Sequence, residues 1–228
     1  MQAGSYPAQI DYNGSMSALE DLLDRLDAAR ERTLVALEML PDEALVQSGV
    51  VGRWSIANLL SILTAWDAEV VTALMQLRAG KAPERLLAAL RNPDVYNAQR
   101  FQEARERDLD SVFEDFQNSR TKLEDWLSEL SERALTDRNH YKALGGVALG
   151  QLIARATSDH EARYLPFLTA FADRWEDVED TGYELRDTSL AEAPDTIPLG
   201  QIDVLGLAGA NGDAAAAIFP EDDDDDFE

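Results

Sequence analysis

Apolar residues recur three and four positions apart over four long stretches of the chain, which is the spacing of a helix that buries one face. These stretches predict long helices over residues 18–40, 55–78, 109–130 and 148–175. Shorter helices are predicted over residues 83–91 and 95–104. No segment alternates apolar and polar residues in the way that a half-buried strand does. The pattern therefore predicts an all-α fold, an antiparallel four-helix bundle.

The ends of the first two long helices carry recognisable signals. Ser17 and Glu20 have the spacing of a capping box, in which each side chain accepts a hydrogen bond from the other residue's backbone amide. Pro41 ends the first helix, because proline cannot continue the helical hydrogen-bond ladder. Ser55 is predicted as the N-cap of the second helix, and Gly80 as the left-handed residue that closes it.

Charge divides the 228-residue chain unevenly. The net charge is −24, and residues 176–228 carry 17 acidic residues against the single basic residue Arg186, a net of −16. Such a segment buries too little apolar surface to offset the entropy of ordering it. We therefore predict a loose lead-in over residues 1–15, the bundle over 16–176, and a disordered acidic tail over 177–228.

Composition also excludes several classes of site and partner. The chain contains no cysteine, so disulfides, thiolate zinc sites and cysteine nucleophiles are excluded. Its acidity would repel nucleic-acid phosphates. No secretory signal or unbroken apolar run of about 20 residues is visible, so we expect a cytoplasmic protein with no membrane partner. A homodimer is an expectation by analogy with other bundles, and a protein partner is a hypothesis for the acidic tail.

A family resemblance rests on the start of the second helix. The pattern Gly-x-Trp-Ser-x-x-Asn-x-Leu-x-x-Leu-x-x-Trp-Asp is formed here by Gly52, Trp54, Ser55, Asn58, Leu60, Leu63, Trp66 and Asp67. With Asn97 in mid-chain, and Thr157 and His160 in the last helix, it resembles the DinB-like four-helix-bundle superfamily over about residues 16–175. Within that superfamily the chain is most similar to the branch of the DfsB proteins and the colibactin self-protection (ClbS-like) protein.

The resemblance implies a metal site that this chain does not keep. Many members of the superfamily resemble metal-dependent enzymes with three histidines around a zinc or nickel ion. The corresponding positions here are Ile62, His160 and Tyr164, and the chain has only one other histidine, His140. A three-histidine site is therefore impossible, and we predict a degenerate metal site with no cofactor. An alternative is a different metal site, formed by His160 together with Asp67 or Asp159.

The ClbS-like branch implies a different activity, which is stress protection by hydrolysis of a strained ring in a reactive electrophile without a metal. On this hypothesis a small-molecule ligand enters a pocket between the helices. His160 or Asp67 would orient water, Tyr164 would donate to a developing charge, and Trp66 would wall the pocket. The catalytic candidates are His160, Tyr164 and Asp67, and the ligand-binding candidates are Asn58, Trp66 and Asn97.

The same residues have a simpler interpretation, in which Asn58 and Asp67 cap or face outward and the aromatic residues form the core. The alternative function is accordingly a non-catalytic binding or scaffold protein that docks a partner on its acidic tail. An accessible polar pocket containing His160 and Tyr164 would favour the hydrolase. A centre closed by Ile62, Trp66 and Phe171 would favour the binding protein.

Overall fold

A computed structural model describes residues 17–181 and the side chains of residues 17–175. The lead-in predicted over residues 1–15, and the predicted tail from residue 182 onward, lie outside the described residues. Ten α-helices and one 3₁₀ turn (Lys142–Leu144) make up this part of the chain. In chain order the helices are α1 (Ala18–Leu37), α2 (Asp42–Val46), α3 (Ile56–Arg78), α4 (Glu84–Arg91), α5 (Pro93–Ala104), α6 (Leu109–Ser128), α7 (Glu132–Thr136), α8 (Leu149–Ala156), α9 (Ser158–Ala162) and α10 (Leu165–Thr181).

The all-α prediction is confirmed. α3 packs along α6, while α1 packs against α8, α9 and α10, so that these helices enclose one hydrophobic core. Between residues 17 and 181 the only β-type pairing is an isolated bridge from Val51 to Trp54, in the turn that leads into α3. Helical segments form the walls of the bundle, and polar side chains that point inward from them meet at its centre.

α3 is the central helix of this core. Ser55 caps it as predicted, because its hydroxyl accepts from the amide of Asn58 while the Asn58 side chain accepts from the Ser55 amide. By length and mean hydropathy (1.2) α3 would also suffice to cross a membrane, although the sequence shows no unbroken apolar run of that length. In the structure, however, 67% of the 18-residue apolar segment of α3 that gives this hydropathy is buried. This is the burial that a bundle's core helix requires.

The single long helix predicted over residues 148–175 is wrong, because the structure breaks it into α8, α9 and α10. At the first break, Thr157 has φ −122° and ψ −94°, and its hydroxyl donates to the carbonyl of Ile153 at 2.7 Å. Such back-bonding competes with the helical ladder. At the second break, Pro166 has no amide hydrogen to donate to Ala162, and it restricts Leu165 before it.

Other boundaries differ by a few residues. α1 ends at Leu37 rather than at residue 40, and α2 and α7 form in segments predicted as connections. The last helix runs to Thr181, past the boundary predicted for the tail. None of these differences changes which helices surround the centre of the bundle.

Candidate functional site

Four buried charged side chains form a closed ring at the centre of the bundle. Arg30 of α1 pairs with Asp67 of α3 (3.0 Å) and with Glu161 of α9 (3.2 Å). Arg120 of α6 pairs with the same two carboxylates, at 3.2 Å and 2.8 Å. All four side chains are less than a tenth exposed. This charge ring (Arg30, Asp67, Arg120 and Glu161) is electrically neutral and joins four helices.

The remaining polar atoms of the two arginines bind backbone carbonyls. Arg30 donates to the carbonyl of Phe116 and lies 3.4 Å above its ring, and Arg120 donates to the carbonyl of Leu26 at 2.7 Å. Burial and the charge of Arg120 lower the pKa of Arg30. Burial also acts to lower the pKa of Arg120, but Asp67 and Glu161 outweigh it and raise that pKa. Asp67 is thus held between two guanidinium groups, which is a poor setting for a general base.

A chain of hydrogen bonds lies beside the charge ring. The Trp66 indole donates to the Asn97 side-chain oxygen at 2.8 Å, and the Asn97 amide nitrogen donates to the Tyr164 hydroxyl at 3.1 Å. Asn97 is 1% exposed and Tyr164 is 2% exposed. Burial raises the pKa of the Tyr164 hydroxyl, with a further contribution from the charge of Asp94. Tyr164 therefore remains a neutral phenol whose oxygen already accepts a hydrogen bond.

His160 lies between two of these aromatic rings. Its centroid is 4.9 Å from that of Trp66 and 5.2 Å from that of Tyr164, and the residue is 2% exposed. Burial, aided by the charge of Arg163, lowers the pKa of His160 to about 3, so the imidazole is neutral at physiological pH. Its Nε2 atom is buried and has no hydrogen-bond partner in the described part of the chain. We call Trp66, Asn97, His160 and Tyr164 the aromatic–amide core.

The structure therefore brings together five of the six residues proposed for the site, all of them in a closed centre. Asn58 is the exception. It caps the start of α3, and it also lines a groove of about 360 Å³ beside that helix end, together with Arg53, Phe101 and Arg105 among others. Whether any of the six residues acts on a ligand stays a prediction.

The donor set does not fit the metal that the family resemblance implied. Ile62 supplies no ligand atom, and the Tyr164 oxygen is a buried neutral phenol. The carboxylate of Asp67, one partner considered for a substitute site, pairs with two arginines, and Asp159 pairs with Arg25 at the surface. Over residues 17–175, no three histidine, aspartate or glutamate side chains are arranged to hold a metal ion.

Sequence reasoning missed Arg30, Arg120 and Glu161. A signal for the arginines was present, because Arg30 follows Leu26 by four residues and Arg120 follows Phe116 by four, which places each on an apolar helix face. Arginine on such a face is buried only when it is paired. The carboxylate that pairs with both arginines is that of Asp67, which the family pattern names as a catalytic candidate. Glu161 had no comparable signal, since its inward direction depends on the break at Thr157.

Comparison with protein families identifies the family of this chain. The family model described as the DinB superfamily matches residues 25–164. No curated protein and no solved structure matches the chain. The matched range includes the whole charge ring and the whole aromatic–amide core.

Proposed function

The chain belongs to the DinB superfamily, and we propose that within it this protein is a non-catalytic binding protein whose centre is a structural core. The observation that carries this proposal is the state of the candidate catalytic groups. Asp67, His160 and Tyr164 are 1%, 2% and 2% exposed. The Asp67 carboxylate already accepts from the arginines of the charge ring, and the Tyr164 hydroxyl already accepts from the Asn97 amide. A ligand would have to displace these contacts before it reached any of the three.

The energetic cost of such displacement supports the proposal. Removing one partner from a buried ion pair costs about 3–5 kcal/mol, because the other charge is left without compensation. An unsatisfied buried hydrogen-bonding group costs about 1–3 kcal/mol more. A site that had to break these contacts at each turnover would use a large part of the stability of an ordinary domain, about 5–15 kcal/mol.

A second candidate is the metal-independent hydrolase of the DfsB and ClbS-like branch, acting on a reactive electrophile in stress protection. It is favoured by one observation, the unpartnered Nε2 of His160 next to the Tyr164 ring. A neutral imidazole with a free nitrogen is the form that accepts a proton from water. This function needs a conformation in which the core opens to solvent.

A turnover assay separates the two candidates. Tag-free protein and its His160→Gln variant would be incubated with strained-ring electrophiles, an epoxide and an activated cyclopropane, and ring opening would be followed by mass spectrometry. The proposal predicts that both proteins give the rate of buffer alone. Ring opening by the natural protein that His160→Gln abolishes, with the variant still folded by circular dichroism, would establish the hydrolase instead.

We also propose a cytoplasmic location, a protein partner for the acidic tail, and a homodimer. We propose no nucleic-acid or membrane partner. The homodimer is supported by analogy with other helical bundles, and the other expectations by the charge and composition of the sequence. The acidic tail lies outside the described residues.

A further inference from the structure

A groove of about 650 Å³ runs between α1 and α6, on the outer side of the charge ring. Its apolar lining comes from Leu34, Val35 and Leu37 on α1 and from Phe113 on α6. Leu34 is 36% exposed and Val35 is 62% exposed, so this lining is open to solvent. Exposed aliphatic side chains that line a concave surface are typical of a docking site.

The charged groups of the groove are predominantly acidic. Asp27 and Glu31 line it from α1, Glu38 lines it from the C-cap position just after α1, and Glu124 lines it from α6. Burial, with a smaller contribution from the charge of Asp27, raises the pKa of Glu124. Within the described residues none of these four carboxylates forms an ion pair.

The basic residues of the groove do not offset this acidity. Arg30 and Arg120 line its floor, but Asp67 and Glu161 already neutralise them within the charge ring. The four groove carboxylates therefore present a negative field around an apolar surface. A matching occupant combines positive charge with an apolar face.

The occupants that this chain could itself supply lack the matching positive charge, since residues 1–16 contain no lysine or arginine. Residues 182–228 contain 13 acidic residues and one basic residue, so the chain's own C-terminal segment would be repelled. A second copy carries a net charge of −24 and the same acidic groove. The occupant must therefore come from a different, basic protein.

We propose that the groove between α1 and α6 binds a basic amphipathic helix of a partner protein. This proposal rests on the binding function proposed above and specifies its partner. Residues 27–37 of α1 span about 15 Å, close to three helical turns, which suits a short helix laid along the groove. The apolar face of that helix would cover Leu34, Val35 and Phe113, while its lysines and arginines would pair with the groove carboxylates.

Binding of a model peptide to the full chain tests the proposal. The probe is a fluorescein-labelled peptide of leucine and lysine, about 12 residues long, with leucine at helical spacing. Its control is a scrambled peptide of the same composition, which has no apolar face. We expect the amphipathic peptide to bind at least about tenfold more tightly than the scrambled one in fluorescence anisotropy, because only the first can cover the apolar lining.

Matched charge variants test whether the peptide binds in the groove between α1 and α6. Glu31→Lys with Glu38→Lys reverses two exposed charges in the groove, and Glu106→Lys with Asp173→Lys reverses two exposed charges that do not line it. Both double variants change the net charge equally. The groove variant is expected to weaken binding at least about tenfold, and the control variant less than about threefold. Equal weakening by the two would overturn the proposal.

Val35→Asp separates groove docking from general electrostatic capture. It adds a negative charge at a site that is 62% exposed, where the fold tolerates it, and removes part of the apolar lining. Docking predicts weaker binding of the leucine–lysine peptide, whereas electrostatic capture alone predicts tighter binding. Tighter binding, or no preference for the amphipathic peptide in the natural protein, would contradict the groove proposal. The turnover assay described above is independent of all these outcomes, so failure of the groove and failure of the non-catalytic function are distinguishable.

Discussion

Replacing Asp67 by asparagine removes one negative charge from between Arg30 and Arg120 while the side chain keeps its size. Asp67 is 1% exposed, and its carboxylate accepts from Arg30 at 3.0 Å and from Arg120 at 3.2 Å. The variant leaves two buried guanidinium groups with Glu161 as their remaining carboxylate in the charge ring. Water compensates them little, because both arginine side chains are less than a tenth exposed even where they line the floor of the groove between α1 and α6.

Loss of one partner from a buried ion pair costs about 3–5 kcal/mol. For a domain of this size, each kcal/mol lowers Tm by about 2–4 °C. We therefore expect Asp67→Asn to lower Tm by about 6–20 °C, measured by circular dichroism or calorimetry.

The matched control is Asp159→Asn, which removes the carboxylate of the ion pair with Arg25. That pair has a comparable distance, 2.8 Å, but its side chains are 46% and 44% exposed. Water screens such a pair, so the expected loss is below about 1 kcal/mol. If Asp67→Asn and Asp159→Asn lower Tm equally, the charge ring does not hold the bundle together and the structural interpretation of the core fails.

Two further predictions concern the aromatic–amide core. Tyr164→Phe removes the acceptor of the Asn97 amide in a closed site, and denaturant unfolding should show a loss of about 1–3 kcal/mol; an unchanged free energy of unfolding would contradict the hydrogen bond. His160 has a pKa lowered from 6.5 to about 3, so below pH 6.5 the unfolded chain binds a proton that the folded protein does not. The contribution of the neutral His160 imidazole to the free energy of unfolding is therefore complete above pH 6.5. That contribution is lost as pH falls, with a slope of up to about 1.4 kcal/mol per pH unit. Urea unfolding at several pH values should show a shallower slope for His160→Gln, and parallel curves would refute this assignment.

Local signals in the sequence were sufficient to predict the starts of α1 and α3 and the end of α3. The capping box of Ser17 and Glu20 forms as predicted, and Ser55 caps α3. Gly80, which follows the C-cap residue Ala79 of α3, adopts φ 71°, the left-handed conformation predicted from its position. Each of these features depends on residues within about one turn of the helix end, so the local sequence is enough to predict it.

The interior of the site could not be predicted in the same way. Pro166 carried a local signal for a helix break that the periodic spacing of the apolar residues concealed. The charge ring depends on contacts among four helices, and periodicity does not specify which inward-facing polar residues will meet. Asp67 was identified from the family pattern as a catalytic candidate, and its burial between Arg30 and Arg120 became visible only in the packed bundle.

The claim that the centre of the bundle is a structural core rather than a metal site is tested most directly by the metal content of the full chain, purified without a metal-chelating tag and then equilibrated with zinc or nickel. Elemental analysis after gel filtration should find well under one metal ion per chain, because Ile62 has no donor atom and Asp67 is held by two arginines. The same result is expected for His160→Gln. One zinc or nickel ion per chain that is lost in His160→Gln would contradict the account and identify His160 as a metal ligand.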